Sequence, residues 1–306
     1  MNPVYVPRRP ARDLFVPVRG LNYHLLAWGD ASQASPERPP LLMAHGWMDV
    51  AASFQFVVDA LAQQRCVFAL DWRGFGLSEW PPVDSYWFPD YLADLDALLA
   101  APALGLAPDA RIDLLGHSMG GNVAMLYAGV RPQRIRRLIN LEGFGMPATK
   151  PESAPKRYAQ WLDELREPAR LKPYDSVEAV ADRLVANNPR LPRDKAAWLA
   201  PHWSRRSDDG TWEVLGDPAH KRVNPVLSRV DETLACWRRI EAPVLWVEGD
   251  DTEVLRRWAG RYSREEFEAR LAVVARLERR TLSPAGHMLH HDQPEALARL
   301  IETFLG

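Results

Sequence analysis

The chain has 306 residues, 47% hydrophobic and 25% charged, and 38 basic side chains nearly balance 40 acidic ones to leave a formal net charge of -2. That balance excludes recruitment of nucleic acid or of an anionic membrane by bulk charge, and no window approaches the roughly 18 apolar residues of a membrane span. Two cysteines, Cys66 and Cys236, each in or beside an apolar run, give no disulfide framework; with no signal-peptide core in MNPVYVPRRPARDLF, a reducing, cytoplasmic setting is expected.

From Asp13 the chain alternates between short apolar runs and amphipathic stretches. FVPVRGLNYHLLAWG reads as a hairpin turning at Arg19 and Gly20, PPLLMAHG as a buried strand, and SFQFVVDALAQQ as a helix. RCVFALDWRG is a second buried strand, and YLADLDALLAAPALG a helix ending near Gly105. ARIDLLGHS, GGNVAMLYAGV and RIRRLINLEG continue the pattern as strand, helix and strand. Such alternation predicts crossover units and a mostly parallel sheet, an α/β fold.

After Gly145 the rhythm breaks. Residues 146–239 are rich in Pro, Arg and Trp and carry helical patterns such as YAQWLDELRE and SVEAVADRLVANN, which predicts an inserted helical cap. APVLWVEG resumes the buried-strand pattern, ERRTLSPAGH reads as a last strand with its loop, and PEALARLIETFL as a closing amphipathic helix. The expected organisation is a core of residues 1–145 and 240–306 interrupted by a cap of 146–239.

The chemistry is expected at Gly116-His117-Ser118-Met119-Gly120. G-x-S-x-G alone arises by chance in about one chain in ten of this length, but here it directly follows a strand and opens a helix. A serine on so tight a turn is forced into an unfavourable backbone conformation, and glycines on either side leave room for the chain to fold back. The bland alternative is a glycine-rich turn with no chemistry. A serine hydroxyl needs a base. Of eight histidines, His287 in SPAGHMLHHDQPEAL lies on a loop between the last strand and the last helix, where a base is needed. The HxxHH spacing of His287, His290 and His291 invites a metal reading, yet no carboxylate or cysteine completes a helical ligand motif, so no metal and no cofactor are expected. The N–H of Met119, at the helix start, and that of Trp47, in HGWMD, are the expected donors to an oxyanion. A glycine turn with a buried indole is the plainer reading of HGW.

Taken in order, HGW at 45–47, DWRGFGLS at 71–78, GHSMGG at 116–121 and GH at 286–287 make the chain resemble the α/β-hydrolase superfamily. Within it, HGWMDVAASF, SYWFPDYLADLDALL, LEGFG and GTWEVLGDPAHKRVNPVLS resemble the serine hydrolase-like proteins. The resemblance implies the α/β-hydrolase fold, with Ser118 as nucleophile and His287 as base. It also implies a carboxylate three residues after Gly249, where this chain has Thr252. The acid is therefore sought first in Glu142 of LINLEGFG, a position that some hydrolases of this fold use, with Asp251 and then Asp250 as the alternatives. A glutamate closing an apolar strand is costly to bury without a partner; its alternative is an exposed strand-end carboxylate. Asp71 and Arg73 of DWRG are read as ties for their turn.

The expected activity is hydrolysis of small to medium carboxylic esters by a serine esterase working through an acyl-enzyme, on a small-molecule substrate with an apolar acyl or alcohol part. Carbon-carbon bond hydrolysis or acyl transfer on the same triad, and ligand binding without catalysis, are the rivals. Of the 12 tryptophans, Trp161, Trp198, Trp203, Trp212 and Trp237 fall in or just after the inserted segment, where they would line a pocket or form that segment's own core.

Overall fold

A computed structural model describes residues 4–107 and 109–306. The chain opens with β1 (Arg12–Val18) and β2 (Leu21–Trp28), an antiparallel hairpin turning at Arg19 and Gly20. β3 (Leu41–Ala44), α1 (Gln55–Ala60), β4 (Val67–Leu70), α2 (Phe88–Leu99), β5 (Ile112–His117), α3 (Met119–Val130) and β6 (Ile135–Leu141) then alternate. Between β6 and the next strand of the main sheet come α4 (Ala154–Glu164), α5 (Val177–Asn187), α6 (Arg193–Trp203), a small hairpin of β7 (Ser204–Arg206) and β8 (Trp212–Val214), and α7 (Val230–Trp237). The chain closes through β9 (Val244–Gly249), α8 (Val254–Arg257), α9 (Arg264–Leu271), β10 (Leu277–Leu282), α10 (Leu289–Asp292) and α11 (Pro294–Leu305).

The main sheet runs β1-β2-β4-β3-β5-β6-β9-β10. β1 and β2 pair antiparallel, as do β2 and β4, and every later pair is parallel. Parallel strands need crossovers, so helices cover both faces and the central strands are apolar throughout. β3 (LLMA) and β4 (VFAL) are buried at every position. On one face, Leu95 and Leu98 of α2, Val123 and Tyr127 of α3, Trp237 of α7 and Phe267 of α9 share a core. On the other, Val57 of α1 and Ile301 of α11 pack with Leu184 of α5 and Leu199 of α6. The apolar residues of α11, at 297, 298, 301, 304 and 305, form one stripe of helical period.

Two predicted helices are shorter than their patterns. The SFQFVVDALAQQ helix splits into a 3-10 turn at Ala51–Phe54 and α1, and it stops where Leu61 turns extended. α2 stops at Leu99 because Pro102 disfavours helix at Ala101, which is extended (φ -73°, ψ 129°); a 3-10 turn then ends on Gly105 at φ 65°. The tryptophans of the inserted segment form no separate core. Trp237 is buried on the α3 side of the sheet, while Trp198, Trp203 and Trp212 pack half-buried against the α1–α11 side. Among the described residues no helix is long and apolar enough to cross a membrane, and both cysteines are unpaired.

Candidate active site

Ser118 sits between β5 and α3 with φ 51° and ψ -112°, a conformation that costs a non-glycine residue on the order of 1–3 kcal/mol. The crowding around it explains why the sequence holds the turn there. A Cβ on Gly116 would lie 2.3 Å from the Gly120 carbonyl oxygen, and one on Gly120 would lie 2.2 Å from that of Ala44. Helix and strands therefore approach closer than any side chain permits. The Ser118 amide donates to the Leu141 carbonyl at 2.8 Å and its carbonyl accepts from Asn122 at 3.0 Å, which fixes the turn to β6 and to the first turn of α3.

His287 lies on the loop between β10 and α10, and its Nε2 is 3.0 Å from Ser118 Oγ. Its Nδ1 is 3.1 Å from Glu142 Oε2. An ionised carboxylate only accepts, so this partner assigns the proton to Nδ1 and leaves the Nε2 lone pair facing the serine hydroxyl. The His287 carbonyl in turn accepts from His117 Nε2 at 2.9 Å. His117 is fully buried, and burial together with the neighbouring His290 and His287 keeps its pKa well below the usual histidine range. It therefore acts as a neutral donor that pins the loop carrying His287.

Glu142 follows β6 at φ 58°, a left-handed conformation rare for a glutamate. Its amide donates to Val247 of β9 at 2.9 Å. The side chain is wholly buried, a costly place for a carboxylate unless donors surround it. Three do: the Gly249 N–H at 2.8 Å on Oε1, with the Thr252 hydroxyl at 2.5 Å and His287 on Oε2. Thr252 is the position where the superfamily pattern puts an acid. Here its hydroxyl reaches the carboxylate supplied by β6, a role the sequence signals only through the missing aspartate.

The other two candidate acids are turned elsewhere. Asp251 pairs with Arg190 at 2.5 Å and Arg256 at 3.3 Å, and these cations lower its pKa. Asp250 accepts from the Ser283 hydroxyl at 2.5 Å and the Ala285 N–H at 2.9 Å. Among the described residues neither carboxylate bonds His287.

Trp47 lies in the turn after β3, next to Met48 at φ 54°, with its indole half exposed. Its N–H and that of Met119 donate to no protein acceptor among the described residues; for Met119, the first helical residue, this is what a helix start dictates. The turn is anchored from behind. His45 Nε2 accepts from the Trp72 amide at 3.0 Å, and Trp72 Nε1 donates to the His45 carbonyl at 3.1 Å. Asp71 accepts from the Ala51 and Leu77 amides at 2.7 and 3.0 Å, and Arg73 pairs with Asp94. Both serve as ties for their turn.

Ser118 and His287 open into a cavity of about 660 Å³ that Trp47 and Trp203 also line. At its wall Asp49 and His117 meet His290, all three buried and each offering one ligand atom within 4.8 Å of the others. Of the HxxHH histidines only His290 joins this cluster, with His117 from the end of β5 and Asp49 from the loop after β3, and the three donors could ligate one ion. His290 Nε2 lies 3.7 Å from Asp49 Oδ2. Burial raises the pKa of Asp49, but His290, then His291 and His45, override it and hold the carboxyl below its ordinary range. Asp49 Oδ1 accepts from the Ser53 hydroxyl and from Trp203 Nε1, the latter at 3.1 Å, which links the inserted segment to the cavity wall.

The arrangement has known counterparts. Residues 39–294 match the model of the α/β hydrolase fold family. The chain belongs to that family. It is 25% identical over 313 residues to a serine hydrolase-like protein of Danio rerio, covering 97% of this chain and 89% of that one. It is 24% identical over 300 residues to a serine hydrolase-like protein of Dictyostelium discoideum, covering 94% and 79%. Among solved structures, the thioesterase domain from the curacin biosynthetic pathway superposes with a TM-score of 0.80 at 28% identity, over 96% of this chain and 99% of that one.

Proposed function

We propose that this hydrolase-family member is a serine esterase that cleaves small to medium carboxylic esters in two steps. Ser118 Oγ attacks the ester carbonyl while His287 Nε2 takes its proton; the tetrahedral intermediate collapses, His287 returns the proton to the departing alcohol, and an acyl group remains on Ser118. Water, deprotonated by His287, then releases the acid and restores the serine. Glu142 holds the imidazole in its Nδ1–H form and stabilises the imidazolium, and the N–H groups of Trp47 and Met119 receive the oxyanion. No cofactor or metal takes part in these steps. Residues 146–239 act as a cap over the core of 1–145 and 240–306. Two unpaired cysteines suit a cytoplasmic enzyme.

One observation carries this reading: the 3.0 Å approach of His287 Nε2 to Ser118 Oγ, with the other ring nitrogen on a buried carboxylate. The similarity to a thioesterase domain supports an acyl group on the serine. A fluorophosphonate probe, read by intact mass and peptide mapping against Ser118→Ala, tests it. One adduct per chain on Ser118 is expected; absence of an adduct in folded protein overturns the nucleophile assignment. Turnover of p-nitrophenyl acyl esters against a vinylogous diketone then separates ester from carbon-carbon cleavage.

A further inference from the structure

The cavity in front of Ser118 has an apolar wall beside buried polar groups (Asp49, His117, Asn188 and His291) and is cationic at its mouth. Leu171, Leu184, Leu191 and Trp203 contribute apolar wall. Lys172, Arg183, Lys221 and Arg257 also line it, and all four are exposed. Asp49 is the single acidic side chain in the lining, and it is buried and bonded to Ser53 and Trp203.

Two of the cations at the mouth are also spare. Elsewhere in this region arginines are used up by carboxylates: Arg190 by Asp251, Arg193 by Asp182, Arg222 by Asp84. Among the described residues Lys172 and Arg183 form no ion pair and no side-chain hydrogen bond, and Arg257 meets only Glu253 of its own turn, at 3.5 Å, with both side chains well exposed. Lys221 borders a second groove that carries Asp163, Glu164 and Glu167, so its charge is shared. The chain as a whole has a net charge of -2. A positive mouth on a slightly negative protein is therefore a local feature. Like charges gathered without partners repel one another, and a ligand that neutralises them relieves this repulsion; a cleft of one sign also raises the encounter rate of an oppositely charged solute.

We propose that the substrate is an ester with an oxyanion, a carboxylate or a phosphate, at the end remote from the scissile bond. Lys172 and Arg183 receive the anion, Arg257 adds to the field, and the apolar middle of the substrate lies against Leu171, Leu184 and Leu191. The inference rests on Ser118 as nucleophile. It narrows the substrate class from an ester with an apolar part to an amphiphilic one, and a cavity of this size holds such a molecule with its charge at the rim.

Three p-nitrophenyl esters of equal chain length test it: a hexanoate, a monoester of adipic acid, and a hexanoate carrying a terminal phosphate. The anionic esters should have kcat/KM at least about tenfold above the neutral one at low salt, and the ratio should collapse at about 0.5 M salt. In Lys172→Glu/Arg183→Glu the ratio should fall below one. Preference for the adipate or for the phosphate ester identifies the oxyanion. A neutral-to-anionic ratio within twofold of unity, or a preference that survives charge reversal, overturns the proposal while leaving the esterase reading intact. Silence of all three esters together with no adduct on Ser118 overturns the esterase reading instead. In that case binding of hexyl phosphate and adipate against hexanol, followed by titration calorimetry in the parent chain and in Lys172→Glu/Arg183→Glu, decides the anion site by itself, and equal affinities overturn it.

Discussion

Glu142 and Asp251 are both carboxylates near the same loop of β9, and they live under opposite conditions. Glu142 is wholly buried, held in a left-handed backbone conformation and ringed by Gly249, Thr252 and His287. Asp251 is about half exposed and held by two surface arginines. The difference separates a carboxylate enclosed behind His287 from one at the surface. Inside, Ser118, His287 and Glu142 are positioned by one another, on a turn set by backbone crowding. At the rim, charges face water and are free to meet a solute. Chemistry needs the first condition and selection among substrates uses the second.

The largest effect that would break this contrast is Glu142→Gln. The amide keeps the volume but lets the imidazole adopt the wrong tautomer and leaves an imidazolium without a counter-charge. The expected loss in kcat is about 10³ to 10⁴-fold with KM little changed, measured on any ester the protein turns over. A loss under tenfold would mean that Glu142 holds the loop and does not act on His287.

The second test concerns what lies behind the inner wall. His291 is fully buried, and burial, reinforced by His290, takes its pKa from the usual 6.5 down to about 3. The sign follows from proton counting. Below pH 6.5 the unfolded chain binds a proton at this site that the folded chain refuses, so stability is unaffected above that pH and falls as the pH drops toward 3. His291 alone contributes a loss approaching about 1.4 kcal/mol for each pH unit within that window. His220, stacked between Phe75 and Tyr86 and likewise taken to about 3 by burial, adds a similar slope. Thermal midpoints between pH 7 and 4 should fall less steeply in His291→Gln than in the parent chain. Parallel curves would show that the folded state accepts the proton.

These contrasts also mark what the sequence made legible. Ser118 and His287 were readable because topology constrains both: one must end β5, the other must follow the last strand. The parallel sheet was readable for the same reason, since LLMA and VFAL suit burial on both faces. For the acid, the sequence favoured Glu142 but left Asp251 and Asp250 as alternatives, because all three lie at strand ends that spacing treats alike; what separates Glu142 from them is the left-handed backbone at residue 142 and the burial of its side chain. α1 and α2 were drawn too long because residue preference was extended past the points where Leu61 turns extended and where the proline at 102 ends the helix. The Asp49–His290 pair and the cationic mouth lay beyond any local pattern, since each joins segments far apart in the chain.

The smallest effect is Asp251→Asn, and it sharpens the comparison because its expected result is nearly nothing. The substitution removes two exposed ion pairs whose geometry is open to solvent, and such pairs are worth about 0 to 1 kcal/mol. Activity on a neutral ester should stay within about threefold of the parent, since Asp251 touches neither Ser118 nor His287. A slight gain on an anionic ester is expected, because Arg190 and Arg256 are released and add to the field at the mouth. A loss as large as that of Glu142→Gln would move the acid to the rim and dissolve the distinction between the two carboxylates. A threefold change confined to anionic substrates would place Asp251 as a counterweight to the cations, acting on encounter and leaving the bond-breaking step alone.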